Sequence, residues 1–219
     1  MNWIFTTLQW YFPIFILGII FFPLTKKIFG KFFPDYGYAF AKILAVLFLT
    51  YSIFVLGLLK ILPFTQISIF FLIAGALVMN VFISRRDKQK LTDYTAQSLY
   101  LMFVEELLFL GALFFWTYIR GQEPSIRGLE KFMDFGFINS ILRTTHFPPL
   151  DMWLSADPAN PKGYFINYYY FGHLTGAFLI KLTNVKPTMG YNLILSTFFA
   201  LCIILLIFNF ETFNLFHSL

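Results

Sequence analysis

The sequence predicts an all-α integral membrane protein with about six transmembrane helices and one long outer loop that carries an interfacial helix. Hydrophobic residues make up 58% of the 219 residues and charged residues only 12%, whereas a typical soluble domain is about 25% charged. The mean hydropathy is +0.72. The apolar residues fall in runs near the length of about 20 residues that a helix needs to cross a bilayer.

Six apolar segments are predicted to span the membrane. They are residues 4–24, 38–62, 67–83, 98–119, 168–183 and 188–210. The third begins after Pro63, which separates it from the second because the residue before a proline avoids helical geometry. The chain then divides into an N-terminal membrane segment of three helices, 1–97, and a core, 98–219, that contains the outer loop 120–167.

Short basic loops predict which side of the membrane faces the cytoplasm, because Lys and Arg concentrate in cytoplasmic loops. Basic residues follow the first, third and fifth predicted spans: Lys26, Lys27, Lys31, Arg85, Arg86, Lys88, Lys90, Lys181 and Lys186. We therefore expect both termini and loop 120–167 outside the plasma membrane. The loop has basic residues of its own, but long loops follow the charge rule less well. The short basic loops thus explain the net charge of +5 without nucleic-acid binding. Membrane lipid is an expected partner, and nucleic acid is not.

The first half of loop 120–167 contains a predicted helix at 130–143. Phe135, Ile138 and Leu142 recur at helical spacing, and the broad apolar face suits a helix lying in the membrane interface. The prolines at 148–149 must end it.

Acidic and basic residues on this helix are candidates for chemistry. Glu130 and Asp134 are four residues apart, so they share one face; Lys131 lies beside them and Arg143 closes the last turn. One carboxylate could accept a proton from a hydroxyl while a cation neutralises a departing phosphate. The alternative is a solvated helix start at which acids are favoured by the helix dipole.

The second half of the loop is stiff and aromatic. Asp151 and Trp153 precede the turn signals Asp157-Pro158 and Asn160-Pro161, and the triplet 168–170 follows. Tyrosines are common at membrane interfaces. Three in a row would cover most of a helix circumference, so at least one of Tyr168, Tyr169 and Tyr170 should face protein or a cavity.

His173 lies inside the fifth predicted span, where a histidine marks either a functional site or a polar packing contact. His146 and His173 with nearby aspartates could ligate a divalent cation, but no HxxxH-type spacing brings two ligands together. The sequence therefore assigns no metal ligands and leaves the cofactor unknown, with a divalent metal as an open alternative. The one cysteine, Cys202, excludes a disulfide framework and a thiolate metal site.

Two acids, Glu105 and Glu106, lie inside the fourth predicted span. Each ionised acid costs about 2.5–3.5 kcal/mol there on insertion scales. They are expected to face the bundle, to pair with a cation, or to be neutral. A polar clamp between helices and a step on an ion or substrate path both remain open.

The segment "GLEKFMDFGFINSILRTTHFPPLDMWLS", followed by "INYYYFGH" and "GYNLILSTFFAL", closely resembles the YYY family of multi-pass membrane proteins of unknown function. That family in turn resembles the GT-C superfamily of membrane glycosyltransferases, which take a sugar from a polyprenyl-phosphate carrier. Both have an acidic motif after a membrane helix, an interfacial helix and a proline-rich return. Family members are typically much longer than 219 residues, so we expect an N-terminal part or a short form of such an enzyme.

The resemblance implies roles for the loop residues. Asp134 or Glu130 would activate the acceptor hydroxyl, and Lys131 and Arg143 would stabilise the carrier phosphate. Four aromatic residues, Trp153 and Tyr168–Tyr170, would form a wall for the sugar or the lipid headgroup. His173 would hold the phosphate or position a tyrosine, and Asp151 would fix the loop or contact a sugar hydroxyl.

Two other classes of function stay open. A transporter or flippase for a polar lipid would need Glu105 or Glu106 on its path, so Gln at either position would abolish transport and spare an outer-surface transferase. A non-catalytic membrane scaffold would tolerate changes at Asp134 and the tyrosines with effects on stability only.

Overall fold

The computed structural model describes residues 2–86, 94–128, 130–154 and 156–217, together with their side chains except at 86 and 207–217. Within these ranges the chain forms seven helices and no named strand. They are α1 (Trp3–Phe29), α2 (Tyr38–Leu58), α3 (Gln66–Arg86), α4 (Ala96–Gln122), α5 (Lys131–Arg143), α6 (Phe171–Thr183) and α7 (Pro187–His217). The protein is an all-α integral membrane protein, as the sequence predicts.

Five of the described helices are long and apolar enough to cross a membrane: α1, α2, α3, α4 and α7. They correspond to the predicted spans at 4–24, 38–62, 67–83, 98–119 and 188–210. The predicted interfacial helix at 130–143 is confirmed as a helix, α5, which ends five residues before Pro148.

The predicted span at 168–183 is wrong. The segment forms α6, whose 13 residues extend roughly 20 Å, well short of the bilayer's apolar thickness of about 30 Å. Its length follows from its flanks: the tyrosine triplet precedes the helix, and Asn184 ends it in the left-handed conformation (φ 54°).

Contacts at both ends of α6 hold it at one end of the bundle. Phe171 packs edge-on against Phe54, near the end of α2, with ring centroids 6.0 Å apart. The ammonium of Lys181 donates a hydrogen bond to the carbonyl of Phe64, in the α2–α3 connection, at 2.6 Å. The carbonyl of Thr183 accepts from the Gln9 amide, in the N-terminal part of α1, at 3.1 Å.

Helix α7 therefore starts at the end of the bundle where α4 finishes. The guanidinium of Arg120 donates to Asn192 at 2.6 Å, and Trp116 stacks on Phe199 at 4.4 Å, so the two helices are antiparallel. We call this end, which carries residues 123–170 and the start of α1, the loop end. The C-terminal part of α7 runs towards the opposite end.

This path corrects the predicted orientation of the last third of the chain. Lys181 and Lys186 lie at the loop end with residues 123–170, and not with Lys26 and Lys27. The expectation that both termini share one side is also wrong, because α1 starts at the loop end and α7 runs away from it.

Candidate functional site

Asp134 and His173 form the centre of the candidate site at the loop end. Asp134 lies in the first turn of α5 and His173 in the first turn of α6, and α5 packs on α6 through the buried side chains of Phe137, Ile138 and Ile141. The Nε2 atom of His173 donates to Oδ1 of Asp134 at 3.0 Å. This bond joins the Asp134 carboxylate on α5 to the first turn of α6.

The pair is unequally exposed. The side chain of His173 is 16% exposed and that of Asp134 is 36% exposed. The edge of the His173 ring meets Phe137, with ring centroids 5.2 Å apart, which fixes the imidazole against α5. The carboxylate is more accessible from the surface than the imidazole.

Tyr191, in the second turn of α7, also reaches Asp134, and its hydroxyl interacts with that carboxylate. Its ring packs edge-on against Phe135 at 5.8 Å. Sequence reasoning missed Tyr191 because the six-span topology places the start of α7 on the other side of the membrane from Asp134. A correct topology would have drawn attention to it.

Tyr168 and Tyr169 form an exposed aromatic platform beside the pair. Their rings stack with centroids 4.0 Å apart, and the hydroxyl of Tyr168 donates to that of Tyr169 at 2.7 Å. That hydrogen bond raises the pKa of Tyr168 to about 12, with the negative charges of Glu130 and Asp134 adding to the effect. Tyr169 is 79% exposed, so the platform faces outwards.

Tyr170 has a different environment. It packs against Phe54 at 6.2 Å, and burial raises the pKa of its hydroxyl. One tyrosine of the triplet thus faces protein, as predicted. The triplet precedes α6 and does not form its first turn, contrary to expectation.

Glu130 and Lys131 lie at the start of α5. Glu130 occupies the N-cap position and is exposed, and its side chain does not cap the helix. The ammonium of Lys131 points back to the carbonyl of Ser125 at 3.5 Å. Lys131 therefore lies over the segment that joins α4 to α5.

Arg143 and Asp151 lie in a separate cleft. Arg143 is nine residues after Asp134, which places it roughly half a turn away around α5. There it lines a cleft of about 1150 Å³ with His146, Asp151 and Lys162. The structure does not bring Arg143 to the Asp134 side of the helix.

Asp151 stabilises the loop at the cleft. Its carboxylate accepts hydrogen bonds from the backbone N–H groups of Trp153 and Leu154 at 2.7 and 3.1 Å, and Trp153 is 64% exposed. The loop crosses α5 at Gly136, where a Cβ atom would overlap the sulfur of Met152.

His146 and His173 do not lie together, so they do not form a shared site. His146 lines the cleft and His173 pairs with Asp134 on the other face of α5. Within the described part of the chain, no group of three or more His, Cys, Asp or Glu residues is placed to hold a metal ion.

Glu106 lies away from this site, inside the bundle. Its carboxylate pairs with Lys42 at 2.5 Å and accepts from the hydroxyls of Tyr11 and Tyr38 at 2.7 and 2.6 Å. The cluster joins α1, α2 and α4, which agrees with the predicted clamp. Glu105 is buried beside it, 7% exposed.

Comparison with known families bears on the whole membrane domain. The sequence profile of a family described as "Uncharacterized membrane protein (DUF2298)" matches residues 48–212. The chain belongs to the DUF2298 family. The match begins within α2 and includes both Asp134 and His173, so the candidate site lies inside the family's shared region. No curated protein and no solved structure matches the chain.

Proposed function

We propose that this DUF2298 chain is a glycosyltransferase that uses a polyprenyl-phosphate-linked sugar, or the N-terminal part of one, acting at the outer face of the plasma membrane. The observation that carries the proposal is the pair of Asp134 and His173 at the loop end, whose partly exposed carboxylate lies beside an exposed aromatic platform. The resemblance to GT-C enzymes supports the same class by analogy.

Each residue of the candidate site has its own role in the proposed reaction. Asp134 accepts the proton of an acceptor hydroxyl, whose oxygen attacks the anomeric carbon of the sugar. The bond between that carbon and the phosphate oxygen breaks, and polyprenyl phosphate leaves with the bonding electron pair. His173 and Tyr191 position the Asp134 carboxylate, and Tyr168 and Tyr169 offer aromatic faces for the apolar side of a sugar ring.

Of the two residues expected to stabilise the carrier phosphate, only Lys131 is proposed to do so. Lys131 is on the same helix end as Asp134 and can neutralise the departing phosphate, as lysines commonly do. Arg143 lies in the cleft on the other face of α5, so we assign it no contact with the same phosphate.

Transport of a polar lipid is less well supported. A transport path would need Glu105 or Glu106, but Lys42 and two tyrosine hydroxyls already bind both oxygens of Glu106. Lys42 is 1% exposed. This closed arrangement favours a structural clamp.

Replacing Asp134 by Asn tests the proposal. Detergent-purified protein is incubated with a panel of polyprenyl phosphates that carry labelled hexoses and with a membrane extract that supplies acceptor hydroxyl groups. Release of polyprenyl phosphate is followed by mass spectrometry. We expect the wild type to release the carrier and Asp134→Asn to be at least about 100-fold slower, the usual contribution of a general base.

Asp157→Asn is the matched control. Asp157 is an exposed acid of the same loop that accepts a hydrogen bond from Tyr164, and the proposal gives it no role. Equal release by the wild type and both variants would show that Asp134 is not the base. Loss of stability in Asp134→Asn without any release by the wild type would favour the scaffold.

A further inference from the structure

A second cavity lies at the loop end, outside the site described above. It has a volume of about 430 Å³ and lies between the start of α1, the end of α4 and the start of α7. The polar residues in its wall include Thr6, Thr7, Thr117, Arg120 and Asn192.

The cavity wall is positively charged. Arg120 is the only charged residue that lines it, and no Asp or Glu does so among the described residues. Glu123, which follows the wall residue Gln122 in the sequence, is exposed, and its carboxylate accepts a hydrogen bond from the backbone of Ser125 at 3.3 Å. A cationic wall with no carboxylate favours an anionic occupant.

Two donors in the wall have no partner. The guanidinium of Arg120 donates through one terminal nitrogen to Asn192. Its Nε is buried and makes no hydrogen bond to any described residue, and the same is true of the Thr117 hydroxyl. Buried polar groups in native proteins are nearly always hydrogen-bonded. These two donors would therefore gain from an acceptor oxygen bound at this wall.

The position of the cavity indicates what that molecule is. Trp3 and Tyr118 stand at its mouth, 42% and 58% exposed, with ring centroids 6.2 Å apart. Amphipathic aromatic residues of this kind belong to the membrane interface, at the depth of lipid headgroups. The helices around the cavity are membrane spans, and Met189 and Leu193 supply an apolar wall.

We propose that this cavity binds the phosphate of a membrane lipid, through the Arg120 guanidinium and the Thr117 hydroxyl. The proposal does not depend on glycosyl transfer, because it uses neither Asp134 nor His173. Two lipids supply this chemistry, a bilayer glycerophospholipid and a polyprenyl phosphate.

Gly121 allows a direct test because it lines the cavity and has no atom within 4 Å of a built Cβ. Gly121→Leu adds a bulky side chain at the cavity wall without removing Arg120, and leucine forms helices better than glycine. Gly111→Leu is the matched control, since Gly111 is on the same helix, is equally open and does not line the cavity. Arg120→Gln removes the charge.

Purified full-length protein is incubated with phosphatidylglycerol, polyprenyl phosphate or diacylglycerol, and the retained lipid is measured by native mass spectrometry. We expect the wild type and Gly111→Leu to retain a phosphate lipid at least about tenfold better than diacylglycerol, and Gly121→Leu and Arg120→Gln to lose that preference. The phosphate lipid that is retained better identifies the source.

Retention of diacylglycerol at the level of the phosphate lipids would overturn the proposal. So would wild-type retention in either Gly121→Leu or Arg120→Gln. The melting temperature of each variant is measured in parallel, so that a folding defect in Arg120→Gln is recognised and Gly121→Leu then decides. Loss of transfer in Asp134→Asn with normal lipid retention would separate the two sites.

Discussion

At the scale of single residues, Lys42 and Glu106 form an ion pair whose side chains are 2% and 13% exposed. Removing two charges from water is costly, and their attraction repays that cost only when the remaining hydrogen bonds are satisfied. Tyr11 and Tyr38 supply those bonds to the carboxylate. The Lys42 ammonium also lies 5.0 Å from the ring centre of Phe109, so the pair depends on α1, α2 and α4 together.

Lys42→Met should therefore destabilise the protein by about 3–5 kcal/mol, because it leaves a buried carboxylate without its cation. The double variant Lys42→Met/Glu106→Met should regain part of this loss, since no charge is then left alone. Thermal unfolding in detergent, followed by tryptophan fluorescence, measures both. Lys27→Met, at an exposed lysine, is the control and should be neutral. If Lys42→Met were as stable as Lys27→Met, the Lys42–Glu106 clamp would contribute nothing to the stability of the protein.

The polar residues of the site and of the Lys42–Glu106 clamp could be found from the sequence one at a time, but their partners could not. Glu106 and His173 are conspicuous because a polar group in an apolar segment is expensive. Lys42 is 64 positions from Glu106, and Asp134 is 39 from His173. Such pairings depend on how helices pack, which periodicity along one segment does not encode.

At the scale of helices, hydropathy predicted five spans correctly and failed at α6. The segment is as apolar as its neighbours, but protein surrounds it: Leu174, Ala177 and Phe178 are fully buried. Hydropathy does not distinguish burial in protein from burial in lipid. Length does, since runs of 10–14 apolar residues are more often buried core helices or re-entrant segments than spans.

Close packing of α6 against α7 gives a prediction at this scale. A Cβ atom at Gly190 would lie 2.5 Å from Cγ1 of Ile180 and 3.4 Å from the ring of Trp10. Ile180 is only 4% exposed, so it has little room to move. Gly190→Ala should lower the free energy of unfolding by about 1–3 kcal/mol, as overpacking usually does.

Gly75→Ala is the matched control in α3, where a built Cβ meets no atom within 4 Å. Alanine should stabilise that helix by about 0.5–1 kcal/mol. Thermal melts of both variants in the same detergent give the comparison. Equal melting temperatures would mean that α6 does not pack tightly against the start of α7.

At the scale of the whole molecule, the short path of α6 changes the distribution of charge between the two ends. Lys181 and Lys186 join the basic residues of 123–170 at the loop end, and Lys26, Lys27, Lys31 and Arg85 remain at the opposite end. A cytoplasmic location for that opposite end is therefore supported by two short basic loops, those after α1 and α3, and not by the three that six spans would give. An outer location for the loop end thus remains a proposal that labelling can test.

Single cysteines replacing Lys27, Lys162 and Lys186, all exposed lysines, provide this test. The background is Cys202→Ser, which removes the only native thiol. A membrane-impermeant maleimide is added to intact cells and to disrupted membranes. We expect positions 162 and 186 to be labelled in intact cells, because α6 does not cross the bilayer, and position 27 only after disruption.

Which of the three positions are labelled together distinguishes five membrane spans from six. Five spans place 162 and 186 together, whichever way the protein is inserted. Six spans would place 186 with 27, because a crossing would then intervene between 162 and 186. If position 186 were labelled under the same conditions as position 27, the path of α6 would be refuted. The contact of Tyr191 with Asp134 and the cavity at Arg120 would then be refuted too, because both need α7 to start at the loop end. Labelling of 162 and 186 only after disruption would preserve the fold and reverse the proposed orientation.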